Sequence, residues 1–183
     1  VEDRKELVLT AATAVFGEHG YVGTTTDAVA KAAGVSQPYV VRMFGTKEAL
    51  FLAVLERALG RLLDAFEAVI DDGGDDLDQR IGAAYGELLS DRGLLLSLMH
   101  AFVLGSDPVI GTAARRGFLR VYALLRHRAG FSADEARDFL AHGMLLNTLV
   151  GIRMAADESP DAQELVATVV PTKAALLARL ALS

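Results

Sequence analysis

Apolar positions recur at helical spacing along almost the whole chain, and no stretch alternates as a strand would. Val8, Ala11, Ala12, Val15 and Phe16 fall at i, i+3, i+4, i+7 and i+8, which predicts an amphipathic helix over 3–19 ending at Gly20. Thr24 and Thr25 each qualify to cap a second helix. A third, short helix is expected over 37–44. At the helical turn angle, Val40 and Phe44 face inward with Met43 beside them, Pro38 and Arg42 point outward, and Tyr39 and Val41 flank the outward strip. Thr46 caps a fourth, long helix over 47–70. Then comes an acidic loop, 71–76, whose four aspartates and two glycines cannot pack. Further helices are expected over 77–89, 93–104, 107–129, 133–156 and 161–182. Asp107-Pro108 and Ser132 mark starts, Gly130 a stop, and Pro171 a kink or split in the last segment.

The stretch 25–47 carries the strongest local signal. Two helices that cross closely need a small residue where they meet, and Ala30 supplies it. Four residues on the chain must turn sharply, and Gly34 takes a positive φ without steric cost. Val35 and Val40 follow where the second helix buries apolar side chains. Ser36 is a good N-cap, and Pro38 sits in the first turn, where a missing N–H costs little. The pattern is a helix-turn-helix.

Its flanks complete a longer motif. Ala11, Ala12, Phe16, Gly20, Tyr21, Thr24, Thr25, Val29, Ala30, Ala33, Gly34, Val35, Ser36, Phe44, Thr46, Lys47, Glu48 and Leu50 together resemble the TetR family of one-component transcriptional regulators. Two positions depart: Val41 stands where the family commonly has Tyr, and Met43 where a His follows. Both family residues touch the DNA backbone or support that contact.

The resemblance implies an all-α fold with two parts. One is an N-terminal three-helix unit over 1–46 that reads DNA through its helix-turn-helix. The other is a helical effector-binding and dimerisation domain over 47–183, the helix 47–70 linking the two. The expected DNA-contacting residues are Thr25, Thr26, Ser36, Gln37, Pro38, Tyr39, Arg42 and Lys47. Arg42 suits guanine O6/N7, Gln37 adenine or a phosphate, and Tyr39 a thymine methyl or a phosphate. Thr25, Thr26 and Lys47 suit phosphate, with plain capping by Thr25 and solvation of Lys47 as the bland alternative.

The family's effector site lies among the C-terminal helices, and the candidate wall is Met99, His100, Val103, Phe118, Tyr122, Leu125, His142, Leu145, Asn147 and Leu149. Mostly apolar with a few polar tips, that set suits a small hydrophobic molecule, although the same residue types at helical spacing also make a core. Dimerisation is expected through the last two long helices. Ala141, Gly143, Leu146, Val150, Gly151 and Met154 on one, with Val166, Val169, Val170, Ala174, Leu177 and Leu180 on the other, would build a four-helix seam in a homodimer. Two-fold symmetry then demands a near-palindromic operator in double-stranded DNA.

Composition adjusts this picture. The chain has 183 residues, enough for one large domain or two small ones. Its hydrophobic share of 52% and mean hydropathy of +0.32 point to apolar surface beyond one core, such as a subunit seam or an internal pocket. No run suits a bilayer span; the nearest, 93–105, contains His100. The opening Glu-Asp-Arg-Lys-Glu does not read as a signal peptide, so a cytoplasmic protein is expected, and a first residue of Val suggests that native residues precede it. With no cysteine there is no disulfide framework and no thiolate chemistry.

Charge runs against a simple DNA-binding footprint. Residues 1–50 hold five basic and six acidic side chains, a net charge of −1 in the segment expected to meet DNA. Contacts must therefore come from local placement.

Catalysis finds no support. His19, His100, His127 and His142 form no close ligand pair, Ser90 and Ser97 lack a nucleophile turn, and no glycine-rich loop follows a strand. The reading is a non-enzyme without cofactor or metal. The alternative is an all-helical ligand carrier or protein-interaction module whose helix-turn-helix does not read DNA. Gln37, Tyr39 and Arg42 discriminate, since a packing unit needs no exposed planar hydrogen-bonding groups at that spacing.

Overall fold

A computed structural model describes residues 2–169, and all regular structure in them is helical. In order, the helices are α1 (Glu2–Gly23), α2 (Thr26–Ala32), α3 (Gln37–Phe44), α4 (Lys47–Asp72), α5 (Leu77–Leu88), α6 (Arg92–Val103), α7 (Ile110–His127), α8 (Ala133–Gly151) and α9 (Pro160–Val169), with a 3-10 turn at Met154–Ala156. The all-α expectation holds. Among the described residues, no helix is long and apolar enough to cross a membrane.

The chain forms two compact units. Among the described residues, the first comprises 2–60 and Gly93–Gly117, and the second Arg61–Arg92 and 118–169. The first thus extends past the helix-turn-helix segment and recruits α6.

In the first unit the stripe on α1 is the foundation of the core. Val8, Ala12 and Phe16 are fully buried with Val29, Leu50, Phe51 and Val54. The Phe16 and Phe51 ring centroids lie 4.8 Å apart, and Tyr21 closes on Phe51 at 5.1 Å. Gly20 interrupts α1 as its sequence suggests: at φ 68, ψ 176 it breaks the helix, and a final turn continues to Gly23. Thr24, buried, directs its single hydroxyl hydrogen at the Gly20 carbonyl oxygen at 2.7 Å, with the Val15 carbonyl oxygen at 3.3 Å, beside the kink. The cap of α2 therefore falls to Thr25, whose hydroxyl oxygen accepts the Ala28 N–H at 3.1 Å. Earlier in α1, a Cβ on Gly17 would lie 2.8 Å from Gly93 Cα, so α1 and α6 meet backbone to backbone. Beside that contact Ser97, buried, donates to the Thr13 carbonyl oxygen at 3.3 Å.

The second unit packs around aromatic rings. Phe66 meets Tyr85 edge-on at 6.1 Å and Phe139 at 6.0 Å, and Phe131 meets Phe139 at 6.0 Å. Gly130 stops α7 at φ 76. Ser132 then opens α8 with a full capping box, its hydroxyl oxygen accepting the Glu135 N–H at 3.2 Å while Glu135 Oε2 accepts the Ser132 N–H at 2.7 Å. Of the stretch expected as a loop, Asp71 and Asp72 continue α4, and the turn that follows over 73–76 is tied to its flanks. Arg80 donates to Asp72 and to the Gly73 carbonyl oxygen, and Arg128 reaches Asp71 at 2.8 Å.

Two expectations need correction here. The helix expected over 133–156 ends at Gly151, because Arg153 takes a left-handed conformation at φ 55 that no α-helix continues through; Arg92 donates to the carbonyl oxygens of Val150 and Gly151 at this end, at 3.0 and 3.3 Å. Of the expected seam, Leu146, Val150 and Val169 are buried within the chain and so do not offer free surface. Ala141 of the expected seam is exposed, and the large outward apolar side chains are Leu145 and, just past the end of α8, Ile152. The expectations for Val170, Pro171, Ala174, Leu177 and Leu180 lie outside the described residues.

Candidate nucleic-acid interface

The helix-turn-helix is built from one turn and a small set of buried side chains. Gly34 sits at φ 65 between α2 and α3, the left-handed conformation expected of it. Val29 and Ala30 on α2 and Val40 on α3 are essentially inaccessible, which locks the two helices together. Phe44 and Val35 pack against this core partly buried. Because α3 has only eight residues and buries only Val40 completely, most of its surface faces out.

Ser36, Gln37, Pro38 and Arg42 are exposed on that surface, with Tyr39 half-buried beside them. The groups are not loose. The Arg42 guanidinium carbon lies 5.3 Å from the centre of the Tyr39 ring, a cation–π contact between neighbours on one helix. Gln37 Nε2 donates to Thr26 Oγ1 at 3.1 Å, joining the first turns of α3 and α2. Ser36 occupies the N-cap position in extended backbone but makes no side-chain cap bond, so its hydroxyl is not committed to the helix.

Lys47 and Thr25 are partly committed elsewhere. Lys47 Nζ donates to the Tyr21 carbonyl oxygen at 2.9 Å and sits 4.5 Å from the centre of the Tyr21 ring. One of its three hydrogens is used, and two remain. Thr25 Oγ1 accepts the α2 cap bond, which leaves its hydroxyl hydrogen. The sequence reading missed Tyr21 as a site residue; its aromatic ring next to the Gly20 break was the available signal. Burial raises the Tyr21 phenol above its ordinary value, with Glu48 and Asp107 adding to the rise, so at neutral pH the ring under Lys47 is uncharged.

The candidate effector residues divide between the two units. Met99, His100 and Val103 belong to the first. The His100 ring lies against the α1 break, 3.2 Å from where a Gly20 Cβ would stand. Val103 corrects the expectation of an inner wall: it is 82% exposed at the end of α6. Phe118, Tyr122, Leu125, His142, Leu145, Asn147 and Leu149 belong to the second unit. Leu125, Asn147 and Leu149 are buried and Tyr122 is half-buried, whereas Phe118, His142 and Leu145 are exposed. The sequence reading missed Tyr85, whose hydroxyl donates to Asn147 Oδ1 in the interior of that unit. The Asn147 amide in turn donates to the Met144 thioether at 3.8 Å. Burial pushes the Tyr85 phenol up to about 12. Among the described residues, no three His, Asp or Glu side chains cluster to hold a metal.

Comparison with known proteins gives this geometry a setting. Residues 8–54 match the family model for bacterial regulatory proteins of the tetR family. The chain is similar to the transcriptional regulator RutR of Escherichia coli K12, 36% identical over 72 residues, which is 39% of this chain and 34% of RutR. It is also similar to the transcriptional activator FasR of Mycolicibacterium smegmatis, 35% identical over 83 residues, covering 45% of this chain and 37% of FasR. The matched part thus spans about a third of each relative's own length. In fold, the chain is similar to the fatty acid degradation regulator FadR of Bacillus halodurans. That alignment has a TM-score of 0.64 at 21% identity and covers 94% of this chain and 97% of FadR.

Proposed function

We propose that this chain, whose helix-turn-helix and fold are those of the TetR family, is a transcriptional regulator that reads a near-palindromic operator as a homodimer. The observation that carries the reading is the exposed strip of α3. Gln37, Pro38 and Arg42 stand out from a helix held by Val40, and the polar groups among them are oriented by Thr26 and Tyr39. A helix used only for packing has no reason to order planar hydrogen-bonding groups at its surface. A helix of this size fits the major groove, where Arg42 and Gln37 meet base edges while Tyr39 and Ser36 reach thymine methyls or phosphates. Lys47, Thr25 and Thr26 supply backbone contacts with the hydrogens they still have.

The net charge of −1 over residues 1–50 fits a protein whose non-specific affinity is low and whose specific contacts are few and placed. The function divides as the sequence suggests, with DNA reading in 1–46 and effector response and dimerisation in 47–183. The proposed effector is a small, largely hydrophobic molecule in the second unit, near Tyr122, Leu125, Asn147 and Leu149, and its binding releases the operator, so that the protein acts as a repressor. Such a role needs no catalytic group, and it places the protein with its DNA in the cytoplasm.

Selection of bound duplexes from a random pool tests the proposal. Enrichment of a two-fold symmetric sequence, its half-sites about one helical turn or a multiple apart, is expected. A pool that returns unenriched rejects it.

A further inference from the structure

The hydrogen bond between Gln37 and Thr26 has a consequence for base reading, and it rests on the DNA-reading function proposed above. A glutamine amide carries two N–H donors on Nε2 and an acceptor on Oε1. Its terminal torsion is broad and roughly two-fold, so a free glutamine at a protein surface presents donor and acceptor in either order. Here one Nε2 hydrogen is taken by Thr26 Oγ1 at 3.1 Å, and the two residues are eleven positions apart on different helices. Once the Thr26 hydroxyl hydrogen is given to a phosphate oxygen, that hydroxyl can only accept, and the contact then fixes the amide from outside its own helix. What remains is one N–H and one carbonyl oxygen in a single orientation.

That remaining pair matches one base. Adenine presents N7 as acceptor and N6–H as donor in the major groove, and a bidentate glutamine needs one N–H and one C=O. Guanine presents two acceptors, which the fixed carbonyl oxygen opposes. We propose that Thr26 is a positioning residue for specificity: it orients Gln37 so that α3 selects adenine at one position per half-site. Thr26 accepts in this bond and keeps its own hydroxyl hydrogen for a phosphate oxygen, so one residue links the placement of the DNA backbone to the reading of the base. The tie is short and spans the turn at Gly34, whose left-handed backbone brings the first turns of α2 and α3 together.

Thr26→Val keeps the side-chain shape and removes the hydroxyl; Thr26→Ser keeps the hydroxyl. Duplex selection followed by affinity measurement on single-base variants is run for wild type, both Thr26 variants, Gln37→Ala and the double variant Thr26→Val/Gln37→Ala. Wild type is expected to prefer adenine at one position per half-site by about tenfold, and Gln37→Ala to abolish that preference. Thr26→Val is expected to lose most of the same preference, Thr26→Ser to restore it, and Thr26→Val to change nothing further at that position once Gln37 is gone. Lost stability alone would weaken all sequences together and leave the ratio intact. A Thr26→Val protein that still prefers adenine as wild type does, or a wild type with no Gln37-dependent adenine position, overturns the inference while leaving DNA reading in place. A wild type that selects no sequence overturns both.

Discussion

Lys47 Nζ hydrogen-bonds the main-chain carbonyl oxygen of Tyr21 at 2.9 Å and lies 4.5 Å from the centre of that residue's ring. One cation thus joins the first turn of α4 to the last turn of α1, and it does so next to the Gly20 break. Removing it exposes what each role contributes. Lys47→Met should lower the unfolding free energy by about 1–2 kcal/mol through the lost cation–π and hydrogen-bond contacts. If Lys47 also meets a phosphate with its remaining hydrogens, the slope of log affinity against log salt falls by about 1 as well. An unchanged slope with lowered stability would make Lys47 purely structural.

The Tyr85–Asn147 pair gives the second unit a pH-dependent stability. Burial holds the Tyr85 phenol neutral up to about 12, whereas an unfolded chain ionises it near 10. Its contribution is therefore complete below pH 10 and is lost as pH rises from there through about 12. Denaturant titrations at neutral pH and at about pH 11 should show wild type losing on the order of 1 kcal/mol more than Tyr85→Phe over that interval. At neutral pH the variant should be about 1–3 kcal/mol less stable, because Asn147 Oδ1 loses its donor in the interior. Parallel curves for the two proteins would contradict the assignment.

Two helical glycines should respond in opposite senses. Gly17→Ala places a methyl 2.8 Å from Gly93 Cα and 3.0 Å from its carbonyl oxygen, where only backbone can yield. It should cost about 1–3 kcal/mol despite alanine's better helix propensity. Gly60→Ala in α4 meets nothing within 4 Å and should stabilise by about 1 kcal/mol. Thermal melts of both variants check the pair; stabilisation by both would mean that α1 and α6 do not approach as described.

Local signals were legible in the sequence because they are decided within a turn or two of chain. Gly34 and Gly20 were marked for non-helical backbone by what glycine alone can do, and both adopt positive φ. Thr46 and Ser132 cap as their side chains predict. Val40 is buried as the helical turn angle requires. Periodicity could not say which face of α8 turns inward, because Leu145, Leu146, Leu149 and Val150 are all apolar. The structure buries the last three and leaves Leu145 41% exposed. Nor could it find the stop at Arg153, a left-handed residue with neither glycine nor asparagine to announce it. The Tyr85–Asn147 bond joins residues 62 positions apart, and no spacing rule reaches that far.

Those outward side chains define the dimer test. Leu145 and Ile152 are exposed at 41% and 61%, and the proposed homodimer would cover them. Sedimentation at micromolar concentration should give a dimer for wild type and a monomer of unchanged helicity for Leu145→Asp/Ile152→Asp. Leu146→Ala should instead cost about 2–5 kcal/mol of stability, as a core truncation does. A monomeric wild type, with or without DNA, would count against the dimer and against a palindromic operator together.

The central claim is that the outer face of α3 reads base sequence, and Arg42 tests it most directly. Wild type and Arg42→Ala are titrated against the selected operator and every single-base-pair variant of it. Loss of discrimination at one position per half-site, costing about 1–3 kcal/mol there and little elsewhere, is the predicted result. A variant that binds every duplex as wild type does, or one weakened equally on all of them, would contradict base reading by Arg42 from α3.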